Sequence, residues 1–297
     1  GAASEPQIAL SKDGPAVAVW KQKVGQKSFV YLASSTELGQ WVVGNVRVVS
    51  SSSPSLGDAL TPQIVVADNG KQLTIVWSQY NGPLVAGVRG DIWSASCEVD
   101  SNELECVQPL LAETNDVGSA FNPKIVAGVN RRLVVWEQLK GGKTEIWANS
   151  SSNSGSSWGA PIKVSSNNSG IAYLPHIAAT ANFSEVVAVW QQDGVWTNRF
   201  QVSTGTWGVA QMIGTPNFQN TGAPKIALDA TGKGAVVWSQ SDGTRHNIYG
   251  KPYLGQGAWG TTELVEGHNG GAAINPQIAV SPAAGGGNPV VVWSELD

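Results

Sequence analysis

A segment that starts at proline, runs through a short apolar stretch, turns at Gly, Asn or Asp and returns as a β-branched stretch ending in tryptophan occurs six times in this chain. Its cleanest copy is PKIALDATGKGAVVWSQ, from Pro224 to Gln240. The others are PQIALSKDGPAVAVWKQ from Pro6, PQIVVADNGKQLTIVWSQ from Pro62, PKIVAGVNRRLVVWEQ from Pro123, PHIAATANFSEVVAVWQQ from Pro175 and PQIAVSPAAGGGNPVVVWSE from Pro276. Two β-rich runs around such a turn read as a hairpin. A hairpin repeated at a fixed period cannot bury its apolar face alone, so the copies must stack on one another.

The repeat tryptophans, Trp20, Trp77, Trp136, Trp190, Trp238 and Trp293, stand roughly 50 to 60 residues apart, too far for a two-strand unit and right for four strands. A third strand follows each of the first five: FVYLASS, DIWSASC, EIWANSS, VWTNRFQ and NIYGKPY. A fourth opens at a second aromatic signal, Trp41, Trp158, Trp207 or Trp259, and the second repeat carries Cys106 there instead. No segment keeps a 3.6-residue period, so no long helix is expected. The expected fold is all-β: a six-bladed β-propeller of four-stranded antiparallel blades, with a sixth blade of two strands. It forms a single domain over 1–297, with repeats starting near 6, 62, 123, 175, 224 and 276.

The unit resembles the repeat of sialidase-type, Asp-box propellers, in which a turn of form S-x-D-x-G-x-x-W joins strands three and four. Ser151, Asn153, Gly155 and Trp158 match that turn, with Asn in the Asp position. Shortened G-x-W remnants stand at Gly39–Trp41, Gly205–Trp207 and Gly257–Trp259. The chain is also similar to uncharacterised exported bacterial repeat proteins built from units such as SDGTRHNIYGKPY and GAWGTTELVE. The resemblance implies that the P-x-I strand is innermost. It also implies an active face where strand four leads into the next strand one, with arginines that clamp a substrate carboxylate. One family arginine precedes the P-x-I proline by two residues. Ser4, Leu60, Phe121, Tyr173, Gly222 and Ile274 stand there in this chain, and no Tyr–Glu nucleophile pair can be placed. The resemblance therefore implies fold and not chemistry.

A net charge of −4 and a pI near 5.4 argue against nucleic acid, which wants a clustered basic face. No apolar run reaches the roughly 18 residues of a membrane span. The opening GAASEPQ reads as a mature or trimmed start. Cys97 and Cys106 flank a polar turn, and antiparallel strands would bring them side by side in a disulfide. That bond implies export, to a secreted, cell-surface or periplasmic location. No cofactor and no metal is expected, because His176, His246 and His268 fall in different repeats without ligand spacing. All thirteen tryptophans occupy repeat positions, which suits blade packing better than sugar stacking. Gly155 to Gly159 matches G-x-S-x-G by chance, since the elbow motif needs a helix after it. Asp13-Gly14 and Asn69-Gly70 read as hairpin turns.

Three functional readings follow. The first is a non-catalytic extracellular binding or adhesion module that recognises a glycan or surface protein through one propeller face. It draws on the Ser/Asn/Gly-rich loops VSSSSPSLGDAL, ETNDVGSAFN and IGTPNFQNTGA. The second is a glycan-processing hydrolase using loop carboxylates such as Asp58, Asp116, Asp242 or Glu266, since only Glu5 precedes a repeat proline. The third is a purely structural assembly domain. For the first reading, the polar residues after each proline, Gln7, Gln63, Lys124, His176, Lys225 and Gln277, would form a ring. Phe121, Tyr173 and Arg245 would add to it, and the ring would either take an acidic sugar or another small anion or simply line a wet channel. The Val290–Trp293 segment of the short blade would leave a sheet edge to be covered by the chain itself or by a partner, with self-association as one outcome.

Overall fold

The computed structural model describes the chain except residues 11–14, 38–39, 42–45, 54, 68–69, 83–88, 101–102, 115–117, 166–169, 215–220, 268–269, 282–287 and 297. The turns at Asp13-Gly14 and Asn69, the Gly39 remnant, Asp116 and His268 lie outside the described residues. The described residues form six antiparallel sheets and no helix.

The fourth sheet shows the plan. Tyr173–Ala179 pairs with Val186–Gln191, which pairs with Val195–Gln201. Thr206–Trp207 and Gln211–Met212 then both pair with that third strand. The expected fourth strand is thus split into two short ladders, a pattern repeated in the first, second and fifth sheets. The break follows the Trp-Gly step. Gly159, Gly208 and Gly260 each donate one last backbone hydrogen bond to the third strand, at 3.0, 2.9 and 2.9 Å. The sixth sheet has two strands, Ala272–Val280 and Pro289–Leu296, as its truncated repeat requires.

Each first strand meets a proline that cannot donate to the ladder, and the chain answers with a bulge. The residue before proline turns left-handed at Glu5 (φ 56°), Thr61 (51°), Asn122 (53°), Leu174 (54°) and Asn275 (53°). The register shifts at the same places. The fifth sheet differs: its first strand, Lys225–Leu228, starts after the proline. There Gly222 donates to Ser239 O at 2.7 Å, and a Cβ on it would stand 2.1 Å from Ser239 Oγ. A larger residue there would require the Ser239 hydroxyl to turn away.

Packing divides the chain into two compact units, Gly1–Lys143 with Trp147–Ile162, and Thr144–Ile146 with Lys163–Asp297. Within the first, Val19, Leu32, Ile75 and Trp77 form one core, and Val76, Ile92, Val134 and Trp136 another. Within the second, Val189, Ile226, Val236 and Trp238 pack together. Trp77, Trp136, Trp190 and Trp238 are fully buried, as blade packing predicts. Trp20 and Trp293 are only half-buried, and Trp41 is 44% exposed. Cys97 and Cys106 stand opposite each other and are disulfide-bonded. On the segment expected to be covered, Val290 and Val292 are 66% and 60% exposed.

Candidate functional site

At the end of each sheet where the second strand finishes, the tryptophan indole N–H finds one repeated partner. It donates to the glutamine two residues on: Trp20 to Gln22 (2.9 Å), Trp77 to Gln79 (3.0 Å), Trp136 to Gln138 (2.6 Å), Trp190 to Gln192 (3.0 Å) and Trp238 to Gln240 (3.0 Å). A buried N–H left unpaired would cost about 1–3 kcal/mol. The glutamine passes the connection on. Gln79 Nε2 donates to Gly57 O (3.4 Å) and Gln138 Nε2 to Gly118 O (2.9 Å), tying the second strand to the loop that enters the first. In the sixth repeat Glu295 takes the same place and accepts from Gly271 N at 2.9 Å. The W-x-Q spacing was legible in the repeats, and reading each tryptophan alone missed it.

A second repeated position caps the start of the third strand. Ser50 Oγ accepts from Val30 N (3.0 Å) and Ser165 Oγ from Ile146 N (3.1 Å). Glu266 Oε2 accepts from Ile248 N (3.3 Å), and its Oε1 takes Arg245 Nη2 at 2.9 Å. In the second sheet this place belongs to Glu113, which sequence reasoning passed over. Its Oε1 accepts from Gln138 at 3.0 Å, while its buried Oε2 has no partner among the described residues. Burial pushes its pKa up to about 7, Asp91 pushes the same way, and Gln138 and Arg89 oppose. Asp91 is itself held by Arg89 at 2.7 and 2.9 Å.

The other described carboxylates singled out from the sequence are bound into the fold. Glu5 takes Lys21 Nζ and Thr61 N (2.8 Å), and Asp58 takes Ser28 N at 2.6 Å. Asp242 caps a turn through Thr244, Arg245 and Asn247. Those hydrogen bonds, the Thr244 hydroxyl first, hold its carboxyl well below the ordinary range.

The sequence-selected binding residues fall as follows. Phe121 and Lys124 share the strand Ser119–Ala127, opposite Glu137 and Val135, and both are half-buried. Tyr173 lies opposite Gln191. His176 Nδ1 accepts from Ile226 N at 3.3 Å, which brings it beside Lys225 on the neighbouring sheet. Lys225 is half-buried, desolvation lowers its pKa, and its ammonium has no partner among the described residues. Arg245 is committed to Glu266 and to Gly271 O (3.0 Å). Among the described residues no group of His, Cys, Asp and Glu is placed to hold a metal.

The opposite, hairpin end carries the Asp-box-like turn. Ser151 Oγ accepts from Gly155 N (2.9 Å), Asn153 Oδ1 accepts from Ser157 N (3.0 Å), and Trp158 Nε1 donates to Ser94 Oγ (2.8 Å). Asn therefore fills the Asp role, and no helix follows the G-x-S-x-G match. A Tyr–Glu pair that sequence reasoning did not place also lies at this end. The Tyr253 hydroxyl donates to Glu185 Oε1 and accepts from Gly257 N at 2.7 Å. Arg199 holds both Glu185 oxygens, at 2.5 and 2.9 Å. Burial and then Glu185 push the Tyr253 phenol above its ordinary pKa, and its hydroxyl is held as a donor to Glu185.

No protein-family model and no curated protein matches the chain. Solved structures do. A protein of unknown function from Dyadobacter fermentans aligns over 99% of this chain and 95% of its own, at 13% identity and a TM-score of 0.59. The leech intramolecular trans-sialidase, complexed with 2,7-anhydro-Neu5Ac, aligns over 100% of this chain at 9% identity and TM-score 0.56, and the chain spans 65% of its length. An ulvan lyase of a polysaccharide lyase family aligns over 92% of this chain and 73% of its own, at 10% identity and TM-score 0.58. At such identities the likeness defines the fold alone. The chain has the sialidase-type β-propeller fold.

Proposed function

We propose that the protein is a non-catalytic binding module of the cell exterior that recognises a glycan, free or on a surface protein, through the loop end of its sheets. The observation that carries this reading is Lys225, a partly desolvated cation without a partner among the described residues, set beside His176. An acidic sugar supplies the missing anion, and a charge pair in a partly dry site gains more than in open water. Glu5, Asp58, Asp91, Asp242 and Glu266 are each engaged by the fold, which supports binding over hydrolysis, and Glu113 is the described loop-end carboxylate that keeps an oxygen without a partner among the described residues. The names of the trans-sialidase and the ulvan lyase, both proteins that act on glycans, support a glycan as the ligand class to test first. The disulfide suits a secreted, cell-surface or periplasmic setting.

Calorimetric titration with N-acetylneuraminic acid and glucuronic acid tests the reading. Lys225→Gln weakens binding about tenfold, as loss of one charge-assisted contact should, and Lys124→Gln tests the other lysine of the set. Equal affinity in the wild type and both variants overturns it. The glycan-processing reading rests on the same two neighbours. Turnover of chromogenic glycosides that disappears in Glu113→Gln or Glu266→Gln would establish it.

A further inference from the structure

Between the fourth and fifth sheets, at their hairpin end, lies a cavity of about 200 Å³ whose lining includes Arg199, Gln201, Gln211, Tyr253, Gln256 and Trp259. We infer that it is a second ligand site and takes one neutral pyranose unit of a glycan. This goes beyond the loop-end reading, because it uses other residues and an uncharged ligand.

Trp259 supplies an aromatic wall. It is half-buried, and its ring stands 4.7 Å from that of Tyr253 at an interplanar angle of 56°. Tyr253 is itself pinned by Glu185 and Gly257 N, so the wall is set before any ligand arrives. The indole N–H of Trp259 has no partner among the described residues, whereas the matching Trp158 spends its N–H on Ser94 at 2.8 Å. Arg199 is neutralised by Glu185 through Nε and Nη2, and its Nη1 is left without a partner among the described residues. The site therefore offers donors without net charge. Gln201, Gln211 and Gln256 each bring an amide that both donates and accepts, which matches neighbouring hydroxyls.

The backbone points the same way. Gly255, Gln256 and Gly257 are all left-handed, at φ 93°, 54° and 86°. In the corresponding turn of the fourth sheet only Gly205 is left-handed (φ 70°), and Thr204 is not. A non-glycine residue in that region costs on the order of 1 kcal/mol. Glycine would sit at 256 without strain, and the chain keeps an amide there instead. The volume, below the roughly 300–1,000 Å³ of sites for larger ligands, admits one ring and not a chain of them.

Ligand-observed NMR and calorimetry with the methyl glycosides of glucose, galactose, mannose and N-acetylglucosamine test the site. At least one binds the wild type. Trp259→Ala weakens it about tenfold, the order expected for loss of a stacking wall. Gln256→Gly also weakens it while leaving the melting temperature equal or higher, since glycine relieves the positive φ. This second variant keeps the test sound if Trp259→Ala fails to fold. Absence of binding by all four glycosides overturns the inference. So does binding that both variants leave unchanged, or that Lys225→Gln alone abolishes. An acidic sugar unaffected by Lys225→Gln overturns only the loop-end reading, so the two failures are distinct.

Discussion

Glu113 occupies the position that serine fills in the first and third sheets, and the difference is a buried acid in place of a small hydroxyl. Its consequence is a pH-dependent stability. In the unfolded chain the carboxyl loses its proton near 4.5, and in the folded chain near 7. Between those values the native state holds more protons than the unfolded state, so stability falls as pH rises through that window. Glu113→Gln keeps an acceptor for Gln138 and removes the buried charge. The variant gains on the order of 2–3 kcal/mol over the wild type at pH 8 and nothing at pH 4. Urea unfolding at the two pH values checks this, and parallel profiles would show that water reaches the carboxyl. Lys225 titrates with the opposite sign. Its lowered pKa means that acidic-sugar binding fades on raising pH before an ordinary lysine would discharge.

At the scale of a single sheet, the second shows how the repeat absorbs a lost residue. Where the other full repeats place a tryptophan after the third-strand turn, this one pairs Glu103–Cys106 with the end of the third strand and bonds Cys106 to Cys97. A covalent link restrains the unfolded chain where ring packing would otherwise hold the folded one. Replacing both cysteines by serine should cost about 2–3 kcal/mol by the chain-entropy account of a short loop. Chemical denaturation measures that loss, and an unshifted midpoint would mean that the paired strands alone hold the turn. The first strands carry the other sheet-level device. A left-handed residue before proline recurs in five sheets, whichever side chain stands there, because the missing proline N–H breaks the ladder at the same rung each time.

Across the whole chain the apolar surface is unevenly covered. Val290, Val292 and Leu296 are more than half exposed on the last strand, and Ile8 and Leu10 on the first. An uncovered apolar strand is a template for pairing with another chain. Sedimentation velocity at rising concentration should show a second species, and Val292→Lys should return the protein to monomer. A single monomeric boundary at every concentration would exclude self-association through this strand.

Strand order, the hairpins and the paired cysteines were legible in the sequence, because each rests on chemistry between near neighbours. A proline, a turn and a β-branched run ending in tryptophan act within one hairpin, and repetition multiplies the signal. The break in the fourth strand was not legible, since it depends on where Gly159, Gly208 and Gly260 meet the strand beside them. Nor were the fates of the polar groups. His176 meets the Ile226 amide 50 residues on, Arg245 meets Glu266 across 21, and Tyr253 meets Glu185 across 68. Whether an ion is paired, desolvated or free depends on which sheet lies against it, and only the tertiary structure decides that. The sequence by itself determined the blade, and the packing of one blade on the next left Lys225 without a partner among the described residues and enclosed Glu113.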